Sequence, residues 1–344
     1  MLAWERKELP VKRKKYDRIL VDNVFNNDND PGILAGVLNK MTLAKNKTVI
    51  IIAGPTAVGK TALAIELARH FKTEIISADS RQCFKELNIG VARPSEDELR
   101  QVKHHFIASH SIQEEVTAAT FEEYALQKVN ELFLQHDVVV IVGGTGLYIK
   151  AFCEGLDSIP AIDPAIRQQV MKGYEEKGLP WLQEEIRQID PLFFEKGEIQ
   201  NPQRLMRALE VVKATGQSIF SFRNKDKAKR DFAIIKIGLE IPKEELHRNI
   251  HTRVDKMMAA GLAEEVRSLL PYRHLNALQT VGYAELFEYI DGTILLEKAT
   301  EKIKAATRQY AKRQLTWFRK DAAIKWFEPQ RVGEILQWIA DKIK

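Results

Sequence analysis

The stretch TVIIIAGPTAVGKT, residues 48–61, limits what this chain can fold into more than any other. Its first half is a β-branched apolar run without polar interruption, which suits a strand buried on both faces of a parallel sheet. Its second half, Gly54-Pro55-Thr56-Ala57-Val58-Gly59-Lys60-Thr61, has the spacing G-x-x-x-x-G-K-[ST] of a phosphate-binding loop. The backbone N–H groups of such a loop point at phosphate oxygens, and the helix that follows adds its positive end. Gly54 and Gly59 permit the tight path, Lys60 brings a charge, and the Thr61 hydroxyl can hold Mg²⁺. Leu63, Leu67 and Phe71 then recur at helical spacing, so strand, loop and helix follow in the required order. The pattern identifies a P-loop of the kind usually labelled ATP- or nucleotide-binding. It does not identify a reaction.

Other segments extend the sheet. TEIISADS reads as a second short strand, HHFIAS as a weaker one, and DVVVIVGG as another buried strand ending in glycines. Between them TFEEYALQKVNELFLQH carries a helical stripe, with Thr120 and Glu123 at capping-box spacing. Strands alternating with helices predict an α/β fold, a P-loop-type doubly wound parallel sheet. From about Ser158 to Asp231 no strand is expected, and NPQRLMRALEVVKATG offers Asn201 as N-cap, Pro202 in the first turn and Gly216 as a stop. FAIIKIGLEI and AIKWFE read as returning strands. The expected division is a flexible N-terminal extension over 1–46, an α/β core over 47–155 and 233–344, and a helical insertion over 156–232. Within the extension, VKRKKYDR is basic but VDNVFNNDNDPG follows, which does not suit a targeting signal. Residues 1–40 are expected to be dispensable, with Met41 standing just before the first strand.

At 45% hydrophobic and 29% charged, the chain can bury a core, which excludes low-complexity disorder. The formal charge of +5 suits a polyanionic partner without requiring one. Two cysteines, Cys83 and Cys153, are too few for a disulfide framework or a four-cysteine zinc site, and they suit reduced thiols in a cytoplasmic protein. No run of about 20 apolar residues exists, so no membrane association is expected.

A P-loop NTPase normally adds an aspartate at the end of a second strand to help hold its metal. DVVVIV ends instead in GGTGLY, and Asp137 lies at its wrong end. The acid at a strand's C-terminal end is Asp79, in IISADSRQ, where an open α/β sheet faces its ligand. It can act as a base toward a nucleophile poised against the phosphate compound, or simply cap a turn. Farther on, ATEKIKAATRQYAKRQLTWFRK places Lys304, Arg308 and Lys312 on one helical face near Tyr310, Trp317 and Phe318. Such a stripe either grips a phosphate backbone or is an ordinary solvated face. Arg204 and Arg207 carry the same two readings.

Taken together, GPTAVGKTALAIELA, EIISADSRQ, VGGTGLYIKA, DPAIR, NPQRLMRALEV, RVDKMMAAGLAEEV, LQTVGY and ATRQYAKRQLTWFR resemble the tRNA dimethylallyltransferases, also called tRNA isopentenyltransferases. They occur in the family's order over roughly residues 48–320. The resemblance implies transfer of the dimethylallyl group of dimethylallyl diphosphate to N6 of adenosine 37, beside the anticodon of certain tRNAs. The loop would then hold an allylic diphosphate, with Mg²⁺ at Thr61, which gives a reason for the missing strand-end acid. Residue by residue, it implies Asp79 as general base, Thr56 and Lys60 at the reacting diphosphate, and Arg253 at the leaving group. It further implies tRNA contacts at Asp79, Ser80, Arg81 and Gln82, at Thr145 and Arg167, at Gln203, Arg204, Leu205, Met206 and Arg207, and at Gln279, Thr280, Val281, Gly282, Tyr283 and Ala284. The insertion would embrace the anticodon stem-loop, and the enzyme is expected to act as a monomer. Two cysteines and no zinc-finger tail match the bacterial type.

CFKELNIGVARP departs from the commoner family pattern DIGTAKP at Cys83, Asn88, Val91 and Arg93, close to Asp79. Alternative readings are an adenylate isopentenyltransferase acting on free AMP, ADP or ATP, a P-loop small-molecule kinase, and a non-catalytic RNA-binding protein. The stretches NPQRLMRALEV, LQTVGY and RQYAKRQLTWFR favour the tRNA form.

Overall fold

The computed structural model describes residues 47–223 and 227–343. The extension assigned to residues 1–46 lies outside the described residues. Along the chain, β1 (Thr48–Ala53) leads through the P-loop into α1 (Lys60–His70), followed by β2 (Ile75–Ser77), α2 (Glu96–Gln101), β3 (His104–His105), α3 (Ala118–Leu132), β4 (Val138–Gly143) and α4 (Gly146–Glu154). Three helices follow without a strand: α5 (Pro164–Ile189), α6 (Pro191–Lys196) and α7 (Pro202–Thr215). The chain then returns through β5 (Ala233–Leu239), α8 (Lys243–Ala259), α9 (Leu262–Ser268), α10 (Tyr283–Ile290), α11 (Leu296–Phe318), β6 (Ile324–Phe327) and α12 (Val332–Ile343).

The six strands form one parallel sheet in the order β3-β2-β4-β1-β5-β6. All six residues of β1 are buried, as an unbroken β-branched run requires when both faces of the sheet are covered. Successive side chains leave on opposite faces. Val49, Ile51 and Ala53 join a core with α3, α4, α9, α10 and α11, whereas Ile50 and Ile52 join one with α1, α8 and α12. This is the doubly wound architecture expected from the pattern. Its consequence is positional, because the chain leaves β1 toward one edge of the sheet through β2 and β3, returns through β4 and crosses β1 to β5 and β6, and the crevice beyond the C-terminal end of β1 holds the P-loop.

Local details depart from expectation. The cap of α3 is Thr117 rather than Thr120: each hydroxyl accepts the other residue's backbone N–H at 3.2 Å. A threonine at the third helical position serves here where the usual pattern has a glutamate, so the Thr120 and Glu123 spacing lies one turn beyond the true start. The HHFIAS strand is only two residues long, and it stops where Phe106 and Ala108 take positive φ of 60° and 47°.

Helices α5, α6 and α7 have an apolar core of their own, built from Val170, Leu182, Ile186, Phe193, Leu205 and Leu209 among others. The chain leaves helical geometry inside α5 at Gly178 (φ 72°, ψ −169°), and Pro180 just after it removes a donor, so α5 is two helices across a kink. α7 begins and ends as its sequence reads: Asn201 Oδ1 accepts the Arg204 N–H at 3.3 Å, and Gly216 closes it at φ 69°. Among the described residues no helix is long and apolar enough to cross a membrane.

Candidate active site

The P-loop leaves β1 at Gly54, whose φ is +147° and where a Cβ would lie 2.8 Å from the Leu239 carbonyl at the end of β5. No other residue fits that approach. Gly59, at φ +100°, turns the loop into α1. Lys60 folds back so that its Nζ donates to the Pro55 carbonyl at 2.7 Å.

Elements distant in sequence bring side chains to the cavity of about 350 Å³ that this loop borders. From α8, Arg253 Nη1 donates to Thr56 Oγ1 at 3.1 Å. From α11 come Tyr310 and the buried Gln314. Beyond the end of β2 stands Asp79, whose Oδ1 accepts the N–H groups of Arg81 at 2.9 Å and Gln82 at 3.2 Å. The turn-capping reading of Asp79 is therefore observed directly, and it leaves the other open. One oxygen caps the turn, and Oδ2 has no hydrogen bond to the described residues.

The electrostatics suit an anion. Burial, then the neighbouring Arg253, lower the Lys60 ammonium to about 7, against the opposing pull of Asp79. Burial also lowers Arg253, and it raises the Tyr310 hydroxyl to about 12, with Asp79 adding to the rise. Two cations crowded together with few counter-charges are a site prepared for negative charge. The thiols are not prepared to react: burial pushes Cys83 up to about 12 and Cys153 up to about 11.

Two further openings meet this cavity. A wide cleft of about 1190 Å³, lined by residues such as Leu63, Asn88, Arg93, Lys256 and Met257, shares Ala92 and Arg253 with it. A smaller opening of about 100 Å³ shares Thr56, Asp79, Arg253 and Tyr310, and reaches Arg81, Val281 and Gly282. Asp79 and Arg253 thus face both the phosphate loop and a second mouth.

As for metal, no group of three His, Cys, Asp or Glu converges among the described residues, so they form no closed cage. The cavity instead offers the Thr61 hydroxyl, the Asp79 and Glu98 carboxylates, and His104, whose Nε2 is buried without a partner while its Nδ1 lies 2.8 Å from the Val102 carbonyl. An open set dominated by oxygen suits Mg²⁺, which keeps waters and shares phosphate oxygens.

The remaining candidates separate by burial. Thr145 accepts the Ser80 N–H at 3.0 Å and so ties the turn after β2 to the start of α4. Arg167 is exposed and pairs with Glu115 at 2.8 Å. Gln203, Arg204 and Arg207 line the exposed side of α7, where Arg204 pairs with Glu198 and Arg207 with Glu210. Leu205 and Met206 belong to the insertion's core, and Tyr283 is fully buried with Gly282 beside it. Those side chains have no surface for RNA; in both stretches only neighbours such as Gln203, Gln279 and Ala284 are exposed.

The basic stripe on α11 also changes. Lys304 pairs with Asp255 at 2.9 Å and Glu301 at 3.0 Å, and Arg308 donates to His251 Nε2. Of the three expected stripe residues, Lys312 alone is exposed. Two residues that bear on the site were missed, Gln314 and Glu265. Ala311, Gln314 and Phe318 are buried at i, i+3 and i+7, so a polar residue on an apolar stripe was the available signal.

Comparison with known proteins places these features in company. The family described as IPP transferase matches residues 82–321. The chain is 48% identical to the tRNA dimethylallyltransferase of Cytophaga hutchinsonii over 87% of its length and 98% of that protein's. It is 51% identical to that of Christiangramia forsetii, over 86% and 98%. Among solved structures, the full-length tRNA isopentenylpyrophosphate transferase of Bacillus halodurans superposes with a TM-score of 0.64 at 34% identity, covering 87% of this chain and 97% of that one. A eukaryotic dimethylallyltransferase acting on tRNA matches with a TM-score of 0.64 at 27% identity, over 79% and 70%.

Proposed function

The chain belongs to the IPP transferase family and is a tRNA-modifying prenyltransferase, and from that premise we propose that it moves the dimethylallyl group of dimethylallyl diphosphate to N6 of adenosine 37, beside the anticodon. The observation that carries this reading is the position of Asp79 and Arg253, which line both the P-loop cavity and the smaller mouth bordered by Val281. A donor diphosphate at the loop and an adenine in the mouth would meet between them. That arrangement suits one transfer between two substrates.

In the reaction, N6 of the adenine attacks the allylic carbon that bears the diphosphate. The C–N bond forms as the C–O bond breaks, and diphosphate leaves with the electron pair. The N6 proton passes to the Asp79 carboxylate, held in place by its Arg81 and Gln82 amides. Arg253, Lys60 and the loop amides stabilise the negative charge that gathers on the leaving group, and Arg253 is aimed by its bond to Thr56. Thr61, with Asp79 and Glu98 nearby, would hold Mg²⁺, which supplies further charge neutralisation when bound. The base must leave its stack to enter the mouth, and an RNA loop permits this at modest cost. The exposed Gln203, Arg204 and Arg207 would steady the anticodon stem-loop as backbone contacts. The protein would act as a monomer.

The test is a transfer assay with radiolabelled dimethylallyl diphosphate, Mg²⁺ and, in separate reactions, unmodified tRNA or AMP. Label at the adenosine beside the anticodon is the expected result. Label in AMP alone would make this a free-nucleotide prenyltransferase, and label in neither would overturn the reading.

A further inference from the structure

Glu265, on α9, lies outside the catalytic cluster and accepts four hydrogen bonds. Its Oε2 takes the N–H groups of Asn88 at 3.2 Å and Ile89 at 2.7 Å, and its Oε1 takes that of Gly90 at 3.0 Å and the Tyr283 hydroxyl at 2.6 Å. Three successive amides converging on one carboxylate form a concave nest, and bonds to an ionised acceptor are about twice as strong as neutral ones. The other ties on this loop pull the same way. Gln82 Nε2 donates to the Val91 and Ala92 carbonyls at 3.2 and 2.9 Å, while Arg93 Nη2 caps the carbonyls of Phe84, Lys85 and Leu87. The Tyr283 ring is packed so closely that a Cβ on Gly90 would lie 2.5 Å from it.

The loop so held is a shared wall. Asn88, Ile89 and Arg93 line the wide cleft, Val91 and Ala92 line the P-loop cavity, and Gly90, Val91 and Ala92 line the mouth beside Asp79. On its other side, Glu265 holds Tyr283, a buried member of the stretch Gln279–Ala284, of which Val281 and Gly282 line that mouth. One carboxylate therefore connects the wall of the donor site to the segment that meets the acceptor.

We propose that Glu265 is a positioning residue for prenyl transfer, fixing the Asn88–Gly90 turn, with Tyr283 bound behind it, so that the wall of the donor site keeps its shape. The proposal rests on the prenyl-transfer reading above. Glu265→Gln keeps the size of the side chain but leaves a single acceptor oxygen and turns an NH₂ group against N–H donors. Tyr283→Phe removes one hydroxyl and leaves the nest. Glu265→Asp keeps the charge at shorter reach.

The experiment is steady-state transfer from labelled dimethylallyl diphosphate to tRNA by the full chain and these three variants, with thermal unfolding measured alongside. Glu265→Gln is expected to raise the KM for the donor about tenfold and Tyr283→Phe about threefold, with the KM for tRNA within about twofold. Glu265→Asp is expected to recover part of the loss. The double variant Glu265→Gln/Tyr283→Phe should be no worse than Glu265→Gln alone, since both act on one unit. An unchanged donor KM, or a fall in kcat with both KM values intact, would reduce Glu265 to a structural tie and overturn the proposal. If Glu265→Gln does not fold, Tyr283→Phe decides by the same criterion. Failure of the wild-type chain to transfer label would instead count against the functional reading beneath it.

Discussion

Gln314 holds Thr56 by its backbone: the Gln314 Oε1 accepts the Thr56 N–H at 2.8 Å, while its Nε2 donates to the Gly144 carbonyl at 2.9 Å. A residue near the end of the chain thus closes the gap between the P-loop and the glycines after β4. A Cβ on Gly144 would lie 2.2 Å from the Gln314 amide nitrogen, so a larger residue there would push that side chain out of the bridge. The Thr56 hydroxyl meanwhile receives Arg253. The loop arrives at its substrate already shaped by two side chains from other elements, so less ordering remains for binding to supply.

Replacing Gln314 with leucine should therefore act on stability and on the site together. It leaves the Thr56 N–H and the Gly144 carbonyl without their buried partner, at about 1–3 kcal/mol for each unsatisfied group. Urea unfolding should show a loss of about 2–4 kcal/mol, and the donor KM should rise. Gln314→Glu keeps the acceptor for Thr56 but turns an oxygen against the Gly144 carbonyl, so it too should be less stable than wild type. Equal stability in all three would mean the amide bridge has no net worth.

Asp79→Asn separates the base from the turn. The asparagine oxygen can still accept the Arg81 and Gln82 amides, but the side chain can no longer take a proton from N6. Single-turnover rates should fall by about 10²–10⁴ while tRNA affinity, measured by filter binding, stays within about threefold. Unchanged turnover would remove Asp79 from the mechanism.

Lys60 predicts a pH dependence with a definite sign. Its ammonium is lowered to about 7, so the free protein sheds that proton as pH rises through 7, while an adjacent diphosphate restores the charged form. Binding then takes up a proton between about 7 and the ordinary lysine value of 10.5. Donor affinity should be full below 7 and fall above it, by at most about tenfold per pH unit. Calorimetry of diphosphate binding at about pH 8.5, in two buffers of different ionisation enthalpy, should report uptake approaching one proton. The uptake should vanish in Lys60→Met; if it persists, another group carries the effect.

Salt dependence should distinguish the residues of α11. Lys304 is held by Asp255 and Glu301, whereas Lys312 is exposed. Removing one cation that touches an RNA phosphate should lower the log–log slope of tRNA binding against salt by about one. Lys312→Ala is expected to lower it, and Lys304→Ala to leave it unchanged. The reverse result would return Lys304 to the RNA-binding face.

Chemical pattern at short range was legible from the residues alone. The β-branched run and the G-x-x-x-x-G-K-T spacing decide β1, the loop and α1, because backbone sterics and amide direction act over a few residues. The position of Asp79 after a short strand, and the caps of α7, follow for the same reason. Side-chain environment was not legible, because it depends on segments far apart in the chain. Three residues on one face of α11 look alike in sequence, yet Lys304 and Arg308 find partners on α8 while Lys312 stays exposed, since only packing brings Asp255 and His251 there. Leu205, Met206 and Tyr283 stand in stretches matched to RNA contact, and burial withdraws them. Gln314 and Glu265 gain their meaning only when the fold delivers Thr56, Gly144 and the amides of Asn88–Gly90 to them. Local order is set by what each residue does to its own backbone; the shape and charge of the site are set by which distant groups the folded sheet and its helices bring within hydrogen-bond reach.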